Sequence, residues 1–249
     1  MKLAFSRPTS SNEEMNVLFH HYLEVGYKGL QLKASQYMPY VQDPNLFLEK
    51  WGEKNGIASA LIFGGDLRKN NLEKFKQVLK FANTVGTESI VFCHGLPRQH
   101  SSDSKLRDYA KELNDLGLEA KENYGVQLSL HHHYNQPVMY RKDFDIFFEQ
   151  VTNNAVTLTV DTAHLYKSGI EDMAEIIYSF HDRIDNFHMK DFARGDWQVL
   201  GQGDINFDPI FQAIKEIGYD GWISADEESG GEIIDGMQAC LEYMVKNLK

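Results

Sequence analysis

At 249 residues the chain has the length of one (β/α)8 barrel, roughly 250 residues, and its 42% hydrophobic and 24% charged composition is ordinary for a globular protein. A net charge of −11, with no basic run longer than the pairs Arg68-Lys69 and Arg141-Lys142, argues against nucleic acid as a partner. Two distant cysteines, Cys93 and Cys240, exclude a disulfide framework and a cysteine-based zinc motif, and no apolar run approaches a membrane span.

The first residues, Met1 to Pro8, lack the apolar stretch of a signal peptide, so a cytoplasmic protein is expected. From there the chain alternates short apolar strands with amphipathic helical stretches. Strands are expected over Lys2–Ser6, Gly29–Lys33, Ala58–Gly64, Ser89–His94, Val126–His131, Val156–Asp161, Ile184–Lys190 and Trp222–Asp226. Helices are expected over Glu13–Val25, Leu72–Val85, Leu106–Asn123, Phe144–Val151, Met173–Phe180, Pro209–Ile217 and Ile233–Leu248. Gly26, Gly56, Gly86, Gly125 and Gly218 stand where helices should stop before the next strand. Such alternation implies parallel strands with helical crossovers, and regular units of this number suit a closed α/β barrel, residues 1–249 forming one domain. An open dinucleotide-binding sheet is disfavoured, since Gly201-Gln-Gly203 lies after the seventh strand and lacks the third glycine. The segment from Phe192 to Phe207 is too compact and aromatic to be a linker.

In a barrel the chemistry gathers at the C-terminal strand ends. Here those ends carry His94, His131-His132-His133, Asp161 with His164, His188 with Lys190, and Asp226 with Glu227 and Glu228. Side chains alternate along a strand, so His131 inside places Ser129 and Gln127 inside as well, and His132 against the helices. Asp161 carries Thr159 and Thr157 with it, and Asp226 carries Ser224 and Trp222. Polar inside and aliphatic outside thus recurs on three strands. Imidazoles and carboxylates converging from neighbouring strands suit Mn²⁺, Co²⁺ or Zn²⁺, and Mg²⁺ less well; the alternative is a hydrogen-bonded polar barrel mouth without metal.

Three stretches, Asp161-Thr-Ala-His164, His188-Met-Lys-Asp191 and Gly221-Trp-Ile-Ser-Ala-Asp226, resemble the xylose-isomerase-like TIM-barrel superfamily. That group includes sugar isomerases and epimerases, hydroxypyruvate isomerases, inosose dehydratases and endonuclease IV. In its isomerases and epimerases one divalent metal is held by a Glu after strand five, the Asp of D-x-x-H, a His after strand seven and a Glu after strand eight. The resemblance therefore implies Asp161 and His188 as ligands, with His131 and Asp226 standing where the two glutamates would be. It implies substrate contacts from His164, from Arg194, six residues after the metal histidine, and from His94 after strand four. The two glutamates normally double as acid and base, so both departures bear on the reaction. H-x-H after strand five and H-x-K-D on strand seven look more like inosose dehydratases.

Lys190 shares the face of His188, where it could hold an oxyanion or pair with Asp226 or Glu228. Glu228 is the best remaining general base, or a substitute ligand. His131 could act as base as well as ligand, and His133 is expected to contact substrate. Glu227 should point away and His132 should be a buried, hydrogen-bonded histidine. Trp197, Tyr134 and Phe63 could wall a sugar-sized pocket or simply pack in the core. The Ser229-Gly230-Gly231 turn has Glu228 and Glu232 beside it and no neighbouring Lys or Arg, which favours a non-phosphorylated polyol or ketose. The leading expectation is a metal-dependent isomerase or epimerase working through an enediolate. An inosose-dehydratase-like lyase is the close alternative. A nuclease or a metal-free sugar-binding barrel is less favoured, and a homo-oligomer is compatible with the composition.

Overall fold

A computed structural model describes residues 1–52 and 57–249 of the chain. Its strands are β1 (Lys2–Ser6), β2 (Gly29–Leu32), β3 (Ala60–Gly65), β4 (Ser89–His94), β5 (Gln127–His131), β6 (Val156–Asp161), β7 (Ile184–Met189), β8 (Asp191–Ala193), β9 (Asp196–Gln198) and β10 (Trp222–Asp226). Eight of them close into a barrel in the order β1-β10-β7-β6-β5-β4-β3-β2, every described pairing parallel. The α/β barrel expected from periodicity is what forms. The strands β8 and β9 make a separate antiparallel hairpin beside the barrel mouth.

The helices are α1 (Asn12–Val25), α2 (Ala34–Tyr37), α3 (Pro44–Trp51), α4 (Lys69–Val85), α5 (Asp103–Tyr124), α6 (Arg141–Phe148), α7 (Thr162–Lys167), α8 (Met173–Ser179), α9 (Asp208–Glu216) and α10 (Ile233–Leu248). Short α2 and α7 carry too few turns for a periodic apolar stripe, so sequence periodicity passes over them; α3, eight residues long, is a further helix not expected from the sequence. Gly86, Gly125 and Gly218 adopt positive φ after their helices, as stop signals should, while Gly56 lies outside the described residues.

The outward faces of the strands pack on the helices. Phe63 and Phe92 from β3 and β4 meet Phe75 of α4, with ring centroids 5.4–6.0 Å apart. Phe63 is thus core and does not wall a pocket. The inward faces are polar, as alternation requires: the Ser129 and Thr159 hydroxyls lie 2.7 Å apart, and Gln31 and Asn186 pair their amides.

One register shift positions the site. β7 pairs Ile184 with Leu158, then Asn186 with Thr159, so Asp185 is an extra, bulged residue. The bulge resets the alternation: Asn186 and His188 face the barrel interior, while Phe187 and Met189 pack outward, 0% and 1% exposed. Without it, the parity set by Ile184 would turn His188 towards the helices.

Gly117 of α5 lies against the start of β6, where a Cβ would fall 2.1 Å from the Ala155 carbonyl oxygen. In an ordinary helix interior Gly→Ala gains about 1 kcal/mol. Here the backbone oxygen cannot yield cheaply, so Gly117→Ala should destabilise the protein by about 1–3 kcal/mol in urea unfolding. An unchanged or raised midpoint would contradict this packing.

Candidate metal centre at the barrel mouth

Four strand ends meet around the Asp161 carboxylate. The strand β6 ends at Asp161, which caps α7: its Oδ1 accepts from the His164 backbone N–H at 2.9 Å. Oδ2 lies 3.2 Å from His131 Nε2 and 3.7 Å from His188 Nδ1. The Asp161 backbone N–H donates to His132 Nε2 at 2.9 Å, so the helix-facing histidine holds the strand end in place. His132 is 1% exposed and tilts over Phe144, as a buried, hydrogen-bonded histidine should.

Two overlapping sets of side chains could hold a metal. His131, Asp161 and His164 offer ligand atoms within 4.8 Å of one another, and so do Asp161, His188 and Asp226. His188 Nδ1 is buried, has no hydrogen-bond partner among the described residues, and faces Asp161 and Asp226 at 3.7 and 4.0 Å. An orphaned imidazole nitrogen between two carboxylates fits a borderline divalent cation.

The strand-eight side is more crowded. Lys33, from the end of β2, donates to Asp226 Oδ1 at 2.6 Å and to Glu228 Oε1 at 2.8 Å. Lys190 takes the other two oxygens, Asp226 Oδ2 at 3.1 Å and Glu228 Oε2 at 2.8 Å. Both expected partners of Lys190 are therefore real, and Lys33 completes a square of alternating charge. Burial works against the ionised form of Asp226, but Lys190 and Lys33 outweigh it and hold the carboxyl well below the usual range. Burial likewise opposes the Lys33 ammonium, and Asp226 and Glu228 overcome it to raise its pKa. With Asp161 added, three carboxylates face two ammoniums. Burial opposes the His131 imidazolium, but Cys93 and Asp161 raise its pKa to about 10, so a metal bound there would have to displace that proton. Asp226 must share its oxygens with two lysines; His131, Asp161 and His188 have no such cationic competitor among the described contacts.

These groups line a cavity of about 190 Å³, walled on one side by Trp197 on the β8–β9 hairpin. Lys190 Nζ lies 4.1 Å from the Trp197 ring centre, and the ring meets His164 edge-on at 5.6 Å. Asp191 anchors the segment after the hairpin, accepting from Gly201 N at 2.9 Å and Gly203 N at 2.8 Å. The Gly201-Gln-Gly203 pair thus serves a carboxylate, and a Cβ at Gly203 would strike Asp191 Oδ1 at 2.2 Å. His133 lines the cavity beside His164, their rings 3.6 Å apart.

Several expectations fail here. His94 turns outward: its Nδ1 accepts from Leu96 N and its ring packs edge-on against Tyr109 of α5. The inward position of β4 belongs to Cys93, in register with His131, so Cys93 lines the cavity. Arg194 stands exposed at the tip of the β8–β9 hairpin with φ 55°, away from the cavity wall. Tyr134 is 42% exposed and does not line the cavity. A basic residue does reach the Ser229-Gly230-Gly231 turn, since Arg7 after β1 donates to the Gly231 carbonyl. Its charge is absorbed by Glu227, buried and turned away from the cavity as expected. Lys33, Ile62 and Cys93 in the cavity wall, and Gln31, whose Oε1 accepts from His188 Nε2 at 2.8 Å, are the site residues that sequence reasoning missed.

The model of the xylose isomerase-like TIM barrel family matches residues 23–245. The chain belongs to that family. An inosose dehydratase of Clostridium perfringens is 29% identical over 167 residues, which cover 59% of this chain and 54% of that protein. The chain therefore aligns with only about half the length of that curated relative. Among solved structures, the IOLI protein with a binding zinc atom superposes with a TM-score of 0.79 at 18% identity, covering 100% of this chain and 98% of that one. D-psicose 3-epimerase from Clostridium cellulolyticum H10 does so with a TM-score of 0.80 at 18% identity, each chain fully covered. At such identity these likenesses show a shared barrel fold and nothing finer.

Burial, assisted by His131, lowers the pKa of His132 to about 3. An unfolded histidine titrates near 6.5, so below that pH the unfolded chain binds the proton that folded His132 refuses. The stability this neutral imidazole confers is full above pH 6.5 and is lost as pH falls towards 3, at about 1.4 kcal/mol per pH unit. His132→Gln keeps an acceptor for the Asp161 N–H and removes the titration. Between pH 7 and 5 its urea stability should fall by about 2 kcal/mol less than that of the parent protein; parallel pH profiles would refute this.

Proposed function

We propose that this family member is a divalent-metal-dependent lyase that removes water from a cyclic ketopolyol, the inosose-dehydratase type of reaction. The supporting observation is the state of the strand-eight carboxylate: Asp226 is clamped between Lys33 and Lys190. A two-glutamate isomerase needs an acid-base carboxylate free on each side of the substrate. Here one of those positions holds His131 and the other a short, doubly paired aspartate. The named relative from Clostridium perfringens points the same way.

In this reading His131, Asp161 and His188 hold the metal, with Asp226 as a fourth ligand shared with the lysines. Bound there, a Mn²⁺, Co²⁺ or Zn²⁺ ion would stabilise negative charge developing on the substrate carbonyl oxygen. Glu228 is the proposed base. It shares both lysines with Asp226, but it is the longer strand-eight carboxylate and is 24% exposed at the cavity wall where the Asp226 side chain is 3% exposed, so substrate can displace an ammonium from it and give up the proton from the carbon next to the carbonyl. Lys190 holds the oxygen on which charge builds. The C–H electrons form the new C=C bond as the neighbouring C–O bond breaks, and the departing hydroxyl takes the proton that Glu228 accepted, leaving as water and restoring the Glu228 carboxylate. His133, His164 and Trp197 orient the ring hydroxyls, and the whole chain, 1–249, acts as one catalytic unit. A cavity of about 190 Å³ has room for one monosaccharide-sized ring and none for a duplex. The isomerase or epimerase reading keeps the same first step; it differs in that Glu228 returns the proton to a neighbouring carbon.

A panel of inososes, ketoses and hydroxypyruvate with added Mn²⁺, Co²⁺ or Zn²⁺ separates these outcomes. Lyase activity should appear as a conjugated-ketone absorbance and a mass loss of one water, and Glu228→Gln should lower kcat by about 100-fold or more. Mass-neutral conversion of a ketose would favour the isomerase instead. No turnover of any member would count against both.

A further inference from the structure

Below the candidate metal centre, a row of hydrogen bonds runs down the inside of the barrel. His188 Nε2 meets Gln31 Oε1 at 2.8 Å, and Gln31 and Asn186 exchange amide hydrogen bonds at 2.7 and 3.1 Å. Asn186 Nδ2 reaches Thr159 Oγ1 at 3.4 Å, Thr159 lies 2.7 Å from Ser129 Oγ, and Ser129 lies 2.6 Å from Asp185 Oδ1. Asp185 is the bulged residue of β7 and borders the cavity at the opposite end of the barrel from the metal centre.

The direction of this row is fixed by its last member. Burial lifts the Asp185 carboxyl to about 6, so at pH 8 it is ionised and can only accept. Ser129 has one hydroxyl proton and spends it on Asp185, so Thr159 must donate to Ser129. Thr159 in turn must accept from the Asn186 amide nitrogen. That leaves Asn186 Oδ1 for Gln31 Nε2, and turns Gln31 Oε1 towards His188. His188 must then carry its proton on Nε2, which leaves a lone pair on Nδ1 between Asp161 and Asp226.

We infer that Asp185, through Ser129, Thr159, Asn186 and Gln31, sets the tautomer of His188 and presents its Nδ1 lone pair to the metal. These are positioning residues: none touches the cavity in which the reaction is proposed. The inference rests on the metal-centre reading above for its purpose, and on hydrogen-bond polarity alone for its content. Partners of this kind behind a metal-bound histidine are worth about 10–100-fold in affinity.

The test is nitrogen NMR of the full-length, ¹⁵N-histidine-labelled chain at pH 8, after chelation and again after loading with zinc, with His188 assigned by its loss in His188→Gln. The parent protein should show the Nε2–H tautomer before any metal is added. Gln31→Leu should give a mixed or Nδ1–H tautomer and a 10–100-fold weaker zinc affinity, and Gln31→Glu, which still accepts, should restore both. Asp185→Leu should relax the tautomer in the same direction. A proton on Nδ1 in the parent protein would overturn the inference, as would unchanged tautomer and affinity in folded Gln31→Leu. An unchanged tautomer in folded Asp185→Leu would overturn the role given to Asp185. Because the tautomer is read without metal, a chain that binds no zinc would sink the functional reading while leaving this inference tested on its own.

Discussion

The Asp161 carboxylate is the interaction on which the rest of the site depends. One oxygen caps α7 and places His164; the other lies between His131 and His188. Its own backbone N–H is held by His132. Burial alone would drive such a carboxyl to the neutral form, yet the neighbouring His164, His131 and His188 imidazoles hold it well below its ordinary range.

The barrel separates two kinds of electrostatic work. On one side, imidazoles from β5 and β7 surround Asp161; on the other, Lys33 and Lys190 neutralise Asp226 and Glu228. Each charge in this square has two opposite neighbours, so removing any one leaves others underpaired, Asp226 and Lys190 in a buried setting. The square also lowers the negative potential available to a cation, so ligand strength on the histidine side matters more. That asymmetry is what sets this chain apart from a site built on two equivalent glutamates.

Alternation carried most of the fold and half of the site. Eight apolar runs with glycine-stopped helices between them define the barrel, and the faces of Ser129, Thr159 and Asp226 follow from period two. The same rule, applied strictly to β4, would have chosen Cys93 over His94, since Cys93 is in register with inward His131. For β7 the rule alone would mislead, because the bulge at Asp185 resets the face of His188. Lys33 follows a short strand with no neighbouring histidine or carboxylate, so no local pattern marks it; only closure of β2 against β1 and β3 brings it to Asp226. Arg194 was placed by family spacing, and the hairpin turn at Arg194-Gly195 carries it outward.

On the function proposed above, two imidazoles and carboxylate oxygens hold a divalent ion at this mouth, with Cys93 nearby but uninvolved. X-ray absorption at the zinc edge of the zinc-loaded protein tests it most directly. The account predicts a first shell of nitrogen and oxygen at about 2.0–2.1 Å, with the outer-shell scattering of two imidazoles. A sulfur shell at about 2.3 Å, or the signature of a single imidazole, would contradict it.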